Sequence, residues 1–157
     1  MHSKYIAQPA STYSPDPSLP AAIIVDVDGT IALNNGHRGH YDYGRIMDDA
    51  PNQPVIDLVK SLSSTDPYAS VVVVSGRDDD CMGATANWVA LQGIVMTDIF
   101  MRRTGDKRQD ALDKREIFDA HIRDRYRVLY VIDDRNQVVD MWRSLGLTVL
   151  QVADGDF

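Results

Sequence analysis

Five short apolar runs are spaced along the chain, and most give way abruptly to polar or charged residues. Ala21-Ala22-Ile23-Ile24-Val25 ends in Asp26 and Asp28, and the run 71–74 ends in Ser75-Gly76-Arg77. The run 94–101 meets Arg102-Arg103, the run 128–132 meets Asp133-Asp134, and a last run covers 147–152. Continuous runs without alternation predict strands buried on both faces, as in parallel sheets. Between them lie helical stripes. Val55, Leu58, Val59 and Leu62 form one, opened by Pro54; Cys81, Thr85, Trp88, Val89 and Gln92 form the next, closed by Gly93. A third covers 109–122 with Leu112, Ile117 and Phe118, and a fourth places Val138, Met141, Trp142 and Leu145 before Gly146. Strands alternating with helices predict an α/β three-layer sandwich on a doubly wound, mainly parallel five-stranded sheet. Residues 1–20 hold Pro9, Pro15, Pro17 and Pro20 and read as a tail or linker, leaving 21–157 as one domain.

Composition narrows the class. With 157 residues, 44% of them hydrophobic and 25% charged, the chain suits one soluble domain. Its single cysteine excludes an internal disulfide and points to a reducing compartment. No apolar run nears the roughly 18 residues of a membrane span, and no secretory leader is visible, so a cytoplasmic protein is expected. The net charge of −7 argues against a protein that coats nucleic acid. Residues 102–127 nevertheless carry nine Arg or Lys against six acids, which on charge alone reads as a solvated helix of mixed charge before it reads as one place to meet a phosphate-bearing ligand.

Ligands of such sheets bind at the carboxyl ends of the strands. Any one polar residue there is most simply a turn or cap, but polar groups at four strand ends form a set that chance does not explain. Asp26, Asp28, Asp133 and Asp134 would repel one another there, and a hard divalent cation such as Mg²⁺ resolves the repulsion. Ser75 and Arg77 would bind phosphate oxygens beside it. The pattern predicts a Mg²⁺-dependent phosphoryl-transfer centre.

Asp26-Val27-Asp28-Gly29-Thr30 resembles the DxDGT signature of the haloacid dehalogenase-like phosphatases. The run 71–75 resembles their second motif, Lys114 the third and Asp133-Asp134 the fourth, in the family's order. The segments 36–42, 71–77, 105–110, 114–118, 132–142 and 151–157 further resemble the 3′-phosphatase domain of bacteriophage polynucleotide kinase/phosphatases. That likeness covers about 21–157 and lacks the kinase half, since no GxxxxGK[ST] loop is present.

The resemblance implies a Rossmann-like domain with a small flap and no large cap, open to a polymer end. It implies Asp26 as nucleophile through an aspartyl-phosphate, Asp28 as general acid and base, Ser75 as phosphate ligand and Lys114 as the balancing cation. Mg²⁺ would be held by Asp26, the Asp28 carbonyl, and either Asp133 or Asp134. Asp110, one turn before Lys114, would orient it. Arg38, Arg77 and, less strongly, Arg102 match substrate-phosphate positions.

The remaining residues read more plainly. Arg103, Lys107 and Arg108 are expected in surface ion pairs, Trp88 and Trp142 in the core, and His121 and Cys81 in packing. Arg135 is expected to pair with a neighbouring acid, while His37 and His40 are as readily turn residues as substrate contacts. The expected activity is removal of 3′-phosphate from RNA or DNA ends, in the host cytoplasm if phage-encoded. A phosphatase of mononucleotides and a non-catalytic end-binding module are the alternatives. A separate kinase or ligase is an expected partner, and a homo-oligomer is left open.

Overall fold

A computed structural model describes residues 12–64 and 68–157. In chain order the elements are β1 (Ala21–Val25), β2 (Ala32–Leu33), β3 (Ala50–Pro51), α1 (Gln53–Ser64), β4 (Ser70–Asp78) and α2 (Met82–Leu91). They continue with β5 (Met96–Arg102), α3 (Asp110–Ile117), β6 (Arg127–Asp133), α4 (Asn136–Ser144) and β7 (Val149–Gln151). Five strands pair in parallel in the order β5-β4-β1-β6-β7. This is the doubly wound α/β sandwich that the apolar pattern predicts.

Alternate residues of the central strands feed two cores. Ala22, Ile24, Val72 and Val74 pack with Phe118, Val138 and Trp142, whereas Ile23, Val25, Val71 and Val73 pack with Val55, Ile56 and Trp88. Burial on both faces is why β1 and β4 carry unbroken apolar runs. Strand order reverses beside β1, between its neighbours β4 and β6. A crevice opens at the carboxyl ends of strands at such a switch point, and Asp26 and Asp133 stand there.

Two local features depart from the expected elements, and the small flap follows the expectation. β4 runs on through Ser75 to Asp78 with an irregular register, a bulge that turns Arg77 without ending the strand. The helix expected over 109–122 is α-helical only to Ile117 and closes in a wider π-type turn, Phe118–Ile122, which buries Phe118 and Ile122. Residues 29–52 form a flap held by the antiparallel pair of β2 and β3, with a short 3-10 segment at Tyr43–Asp48. It is small, and no cap domain is inserted.

The proline-rich start falls partly outside the described residues, at 1–11. From residue 12 the chain lies on the domain. Tyr13 is buried, and its hydroxyl donates to the Tyr126 carbonyl at 2.8 Å and accepts from the Val128 N–H at 2.9 Å. Its ring meets Phe118 edge-on, so this segment has no core of its own but completes that of the domain.

Candidate active site

The end of β1 carries the first cluster. The Asp26 N–H donates to the Ile132 carbonyl, which prolongs the strand pairing and sets Asp26 beside the end of β6. Lys114, buried on α3, donates from Nζ to Asp26 Oδ1 at 2.8 Å and to Asp133 Oδ2 at 3.0 Å, with Asp110 Oδ2 at 3.7 Å. The Thr30 hydroxyl lies 3.2 Å from both Asp26 Oδ2 and Asp134 Oδ1. Gly29 has a φ of +76°, and a Cβ there would collide with the Asp134 carboxylate. Only glycine permits that turn and that approach together.

Asp133 and Asp134 differ in what they accept. Asp133 Oδ1 takes the N–H groups of Asp134 and Arg135 at 2.9 and 3.4 Å, and Oδ2 takes Lys114 and the Trp142 indole at 3.0 and 3.4 Å. Asp134 is bonded at Oδ1 by Thr30 alone. Burial pushes the Asp26 carboxyl well above its usual range, with Asp133, Asp110 and Asp134 adding repulsion that Lys114 only partly offsets. Burial and then Asp133 also raise the Asp134 carboxyl. Burial alone would lower the Lys114 ammonium, yet Asp110, Asp133 and Asp26 raise it well above its ordinary value.

A divalent cation fits this cluster. Asp26, Asp133 and Asp134 can each turn an oxygen to within 4.8 Å of the others. Three buried carboxylates against one ammonium leave two negative charges, which is what such an ion balances.

The second cluster joins β4 to the flap. Arg77 grips Asp28 with Nε at 2.9 Å and Nη2 at 2.7 Å, and Nη2 also reaches Asp49 Oδ2 at 2.9 Å. Arg38 donates to both oxygens of Asp49 at 2.8 Å, to Asp28 at 3.2 Å, and to the carbonyls of Gly39 and His40. Those five hydrogen bonds match the five N–H groups of a guanidinium. Arg38, expected at a substrate phosphate, here ties Asp28 to Asp49 and to the flap.

Asp49 was not legible as a site residue. It lies in the flap at no strand end and in no motif, yet it is buried and accepts from both arginines and from His37. Burial would raise its carboxyl, but Arg38 and His37 hydrogen bonds and the two arginine charges hold it below the usual range. The nearby Trp88 indole donates to its main-chain oxygen.

The other predicted residues fall as follows. Ser75 is buried, its hydroxyl accepting from the Arg77 N–H at 3.2 Å, and it does not line the cavity. Asp110 is buried one turn before Lys114, and Lys114, Arg102 and Arg135 hold its carboxyl low against the effect of burial. Gly76 lets Asp110 approach, since a Cβ there would strike its carboxylate. Arg102 donates to Asp110 at 3.2 Å and to the Gly76 carbonyl at 3.0 Å. Asp26, Asp28, Arg77, Arg102, Asp110 and Asp134 all face one cavity of about 690 Å³.

Outside it, Trp88 and Trp142 are core residues, and burial raises the Cys81 thiol pKa. His121 stacks on Phe100, and Arg108 pairs with Asp106 and Glu116 at the surface. Lys107 departs from expectation: it lines the cavity and makes no ion pair among the described residues. Arg135 lies 3.7 Å from Asp110. No helix among the described residues is long and apolar enough to cross a membrane.

Comparison with known proteins gives a consistent picture. The family profile of the polynucleotide kinase PNKP phosphatase domain matches residues 20–157. The putative bifunctional polynucleotide kinase/RNA ligase of Autographa californica nuclear polyhedrosis virus is 38% identical over 136 residues, covering 85% of this chain and 19% of the viral protein. Two solved structures of Pnkp1/Rnl/Hen1 complexes, one described as an RNA repair complex, contain a similar chain. Each has a TM-score of 0.86 and 38% identity over 96% of this chain, covering 48% and 52% of theirs. The chain thus spans about half the length of those solved relatives and a smaller part of the viral one.

Proposed function

The chain belongs to the family of polynucleotide kinase phosphatase domains, and from that premise we propose that it removes phosphate from the 3′ ends of RNA or DNA. The observation that carries this reading is the pairing of two aspartates on one cavity: Asp26 buried under Lys114, and Asp28 held by Arg77 and Arg38.

Asp26 attacks the phosphorus, the P–O3′ bond breaks, and the leaving oxygen takes a proton from Asp28. Asp28 then takes a proton from water, whose oxygen attacks the phosphorus and breaks the bond to Asp26, releasing phosphate. A phosphate dianion competes with Asp28 for Arg77, so arrival of substrate frees the Asp28 carboxyl for proton transfer. Lys114 offsets the charge on Asp26 in both steps, Arg102 takes a phosphate oxygen, and the buried Ser75 hydroxyl holds the Arg77 backbone. Mg²⁺ would be held by Asp26, Asp134 and the Asp28 carbonyl, and would stabilise charge on the transferring phosphoryl group. Asp134 is preferred to Asp133 as direct ligand because four donors already occupy Asp133.

The test is phosphate release from matched oligonucleotides phosphorylated at the 3′ or 5′ end, with Mg²⁺, with EDTA, and with Asp26→Asn protein. Metal-dependent release from the 3′ end alone, absent in the variant, is the expected result. Equal release from both ends, or from mononucleotides only, would overturn the substrate and leave the nucleophile standing. A separate kinase or ligase is the partner this reading calls for, because a 3′-hydroxyl is half of what end joining needs.

A further inference from the structure

Three side chains at the mouth of the cavity have no part in the reaction above: Tyr41, Lys107 and Phe157. Tyr41 is 79% exposed and Phe157 61%, and Lys107 is exposed too. The backbone beside Tyr41 and beside Lys107, and Phe157 itself, are nevertheless each held by an arginine that also rests on an acid of the site. Arg38 contacts Asp28 and takes the carbonyls of Gly39 and His40 at 3.3 and 3.2 Å, directly before Tyr41. Arg102 contacts Asp110 and takes the carbonyls of Asp106 and Arg108 at 3.2 and 2.6 Å, on either side of Lys107. Arg135, 3.7 Å from Asp110, takes the Phe157 carbonyl at 2.8 Å and lies 5.0 Å over its ring.

The fastening extends beyond the arginines. The Gln137 side chain also donates to the Phe157 carbonyl. Gly155 lies so close to the Asp134 carbonyl that no Cβ fits, so the segment bearing Phe157 rests directly on the backbone of the acidic pair. The Tyr41 ring is set edge-on to His40 at 4.8 Å. Ordering exposed aromatic rings carries an entropic cost that the fold does not recover, because water remains around them. The cavity of about 690 Å³ also lies within the range of about 300–1,000 Å³ that holds whole small ligands, well beyond a phosphate group.

We propose that Tyr41, Lys107 and Phe157 form a strand-end subsite, in which the two rings stack on the last bases and Lys107 meets the phosphate one nucleotide upstream. This rests on the reading of the site as a 3′-phosphatase. Base stacking on aromatic rings tolerates any sequence, because every base has a π-face, and a single cation adds backbone contact. In a chain of net charge −7, that contact has to be local.

Binding of a short, labelled, 3′-phosphorylated single strand, followed by fluorescence anisotropy on Asp26→Asn protein, tests the subsite without turnover. Phe157→Ala and Tyr41→Ala should each weaken binding about tenfold, and Phe157→Tyr should restore it. Stripping the bases from the last two nucleotides should erase both penalties. Lys107→Ala should flatten the plot of log affinity against log salt by about 0.7, while Arg103→Ala, outside the cavity, keeps the original slope. Penalties that persist on the base-free strand, or a slope unmoved by Lys107→Ala, would overturn the subsite. Wild-type protein that binds in this way but releases no 3′-phosphate would instead overturn the reaction.

Discussion

Two charged clusters meet in the cavity, and they are balanced differently. Around Asp26, three carboxylates face the single ammonium of Lys114. Around Asp28, two carboxylates, Asp28 and Asp49, face two guanidinium groups, Arg38 and Arg77. With all three carboxylates ionised, the first would carry a surplus of two negative charges in a buried place; the second is neutral as it stands. The Asp26 cluster is therefore built to receive a cation, whereas the Asp28 cluster holds its geometry by itself until a phosphate competes for its arginines. Metal should act on one and leave the other alone.

Removing the one cation of the first cluster is the most severe way to break that asymmetry. Lys114→Met keeps the bulk of the side chain but leaves Asp26 and Asp133 without their cation. Phosphate release should fall about a hundred- to a thousandfold, and stability by about 3–5 kcal/mol, as when one partner of a buried pair is lost. Because the surplus charge becomes larger, Mg²⁺ should raise the melting temperature of Lys114→Met more than that of the wild type. An equal or smaller gain would mean that the three carboxylates do not share one ion.

The matching change in the second cluster is Asp49→Asn, which leaves Arg38 and Arg77 with Asp28 alone. The turnover number should fall about ten- to a hundredfold as Asp28 loses its fixed position. Denaturant unfolding should show a loss of about 3 kcal/mol, since two buried cations are left under-paired. The Mg²⁺-dependent gain in melting temperature should match that of the wild type. A changed gain would join the two clusters into one network.

The two clusters also differ in how far the sequence discloses them. Asp26, Asp133 and Asp134 lie where apolar strands end, so the hydrophobic pattern locates those three, whereas Lys114 is singled out by the resemblance of 114–118 to the family's third motif. The same apolar pattern predicts all five strands of the sheet: burial on both faces leaves an unbroken apolar signature in β1 and β4, while the less buried β5 and β7 leave weaker runs. The second cluster depends on residues 29–52, a flap whose strands are two residues long and whose core contribution is slight. No periodicity marks Asp49, and nothing local reveals that Arg38 turns back to meet it. Tyr13 escaped notice for a related reason: prolines dominate its surroundings, and a single buried aromatic gives no repeat.

Metal withdrawal and pH give the finest test. Asp26 and Asp134 have folded-state pKa values above their unfolded ones, so each contributes its full stability below the ordinary carboxyl value of about 3.9 and loses it as pH rises through the raised value. Asp49 and Asp110 are shifted the other way; their contribution is present above the ordinary value and lost as pH falls through the lowered one. The two windows do not overlap. In EDTA, the wild type should therefore lose stability relative to Asp26→Asn as pH rises above the ordinary carboxyl value and through the raised one, because only the wild type must ionise that buried carboxyl. Mg²⁺ at about a hundred times its dissociation constant should return about 2.7 kcal/mol to the wild type and less to Asp26→Asn, which lacks one ligand. Urea midpoints across this range, with and without the metal, measure both effects. A wild-type and variant difference that stays constant with pH would mean that Asp26 is already ionised without its cation, and that Lys114 alone balances the first cluster.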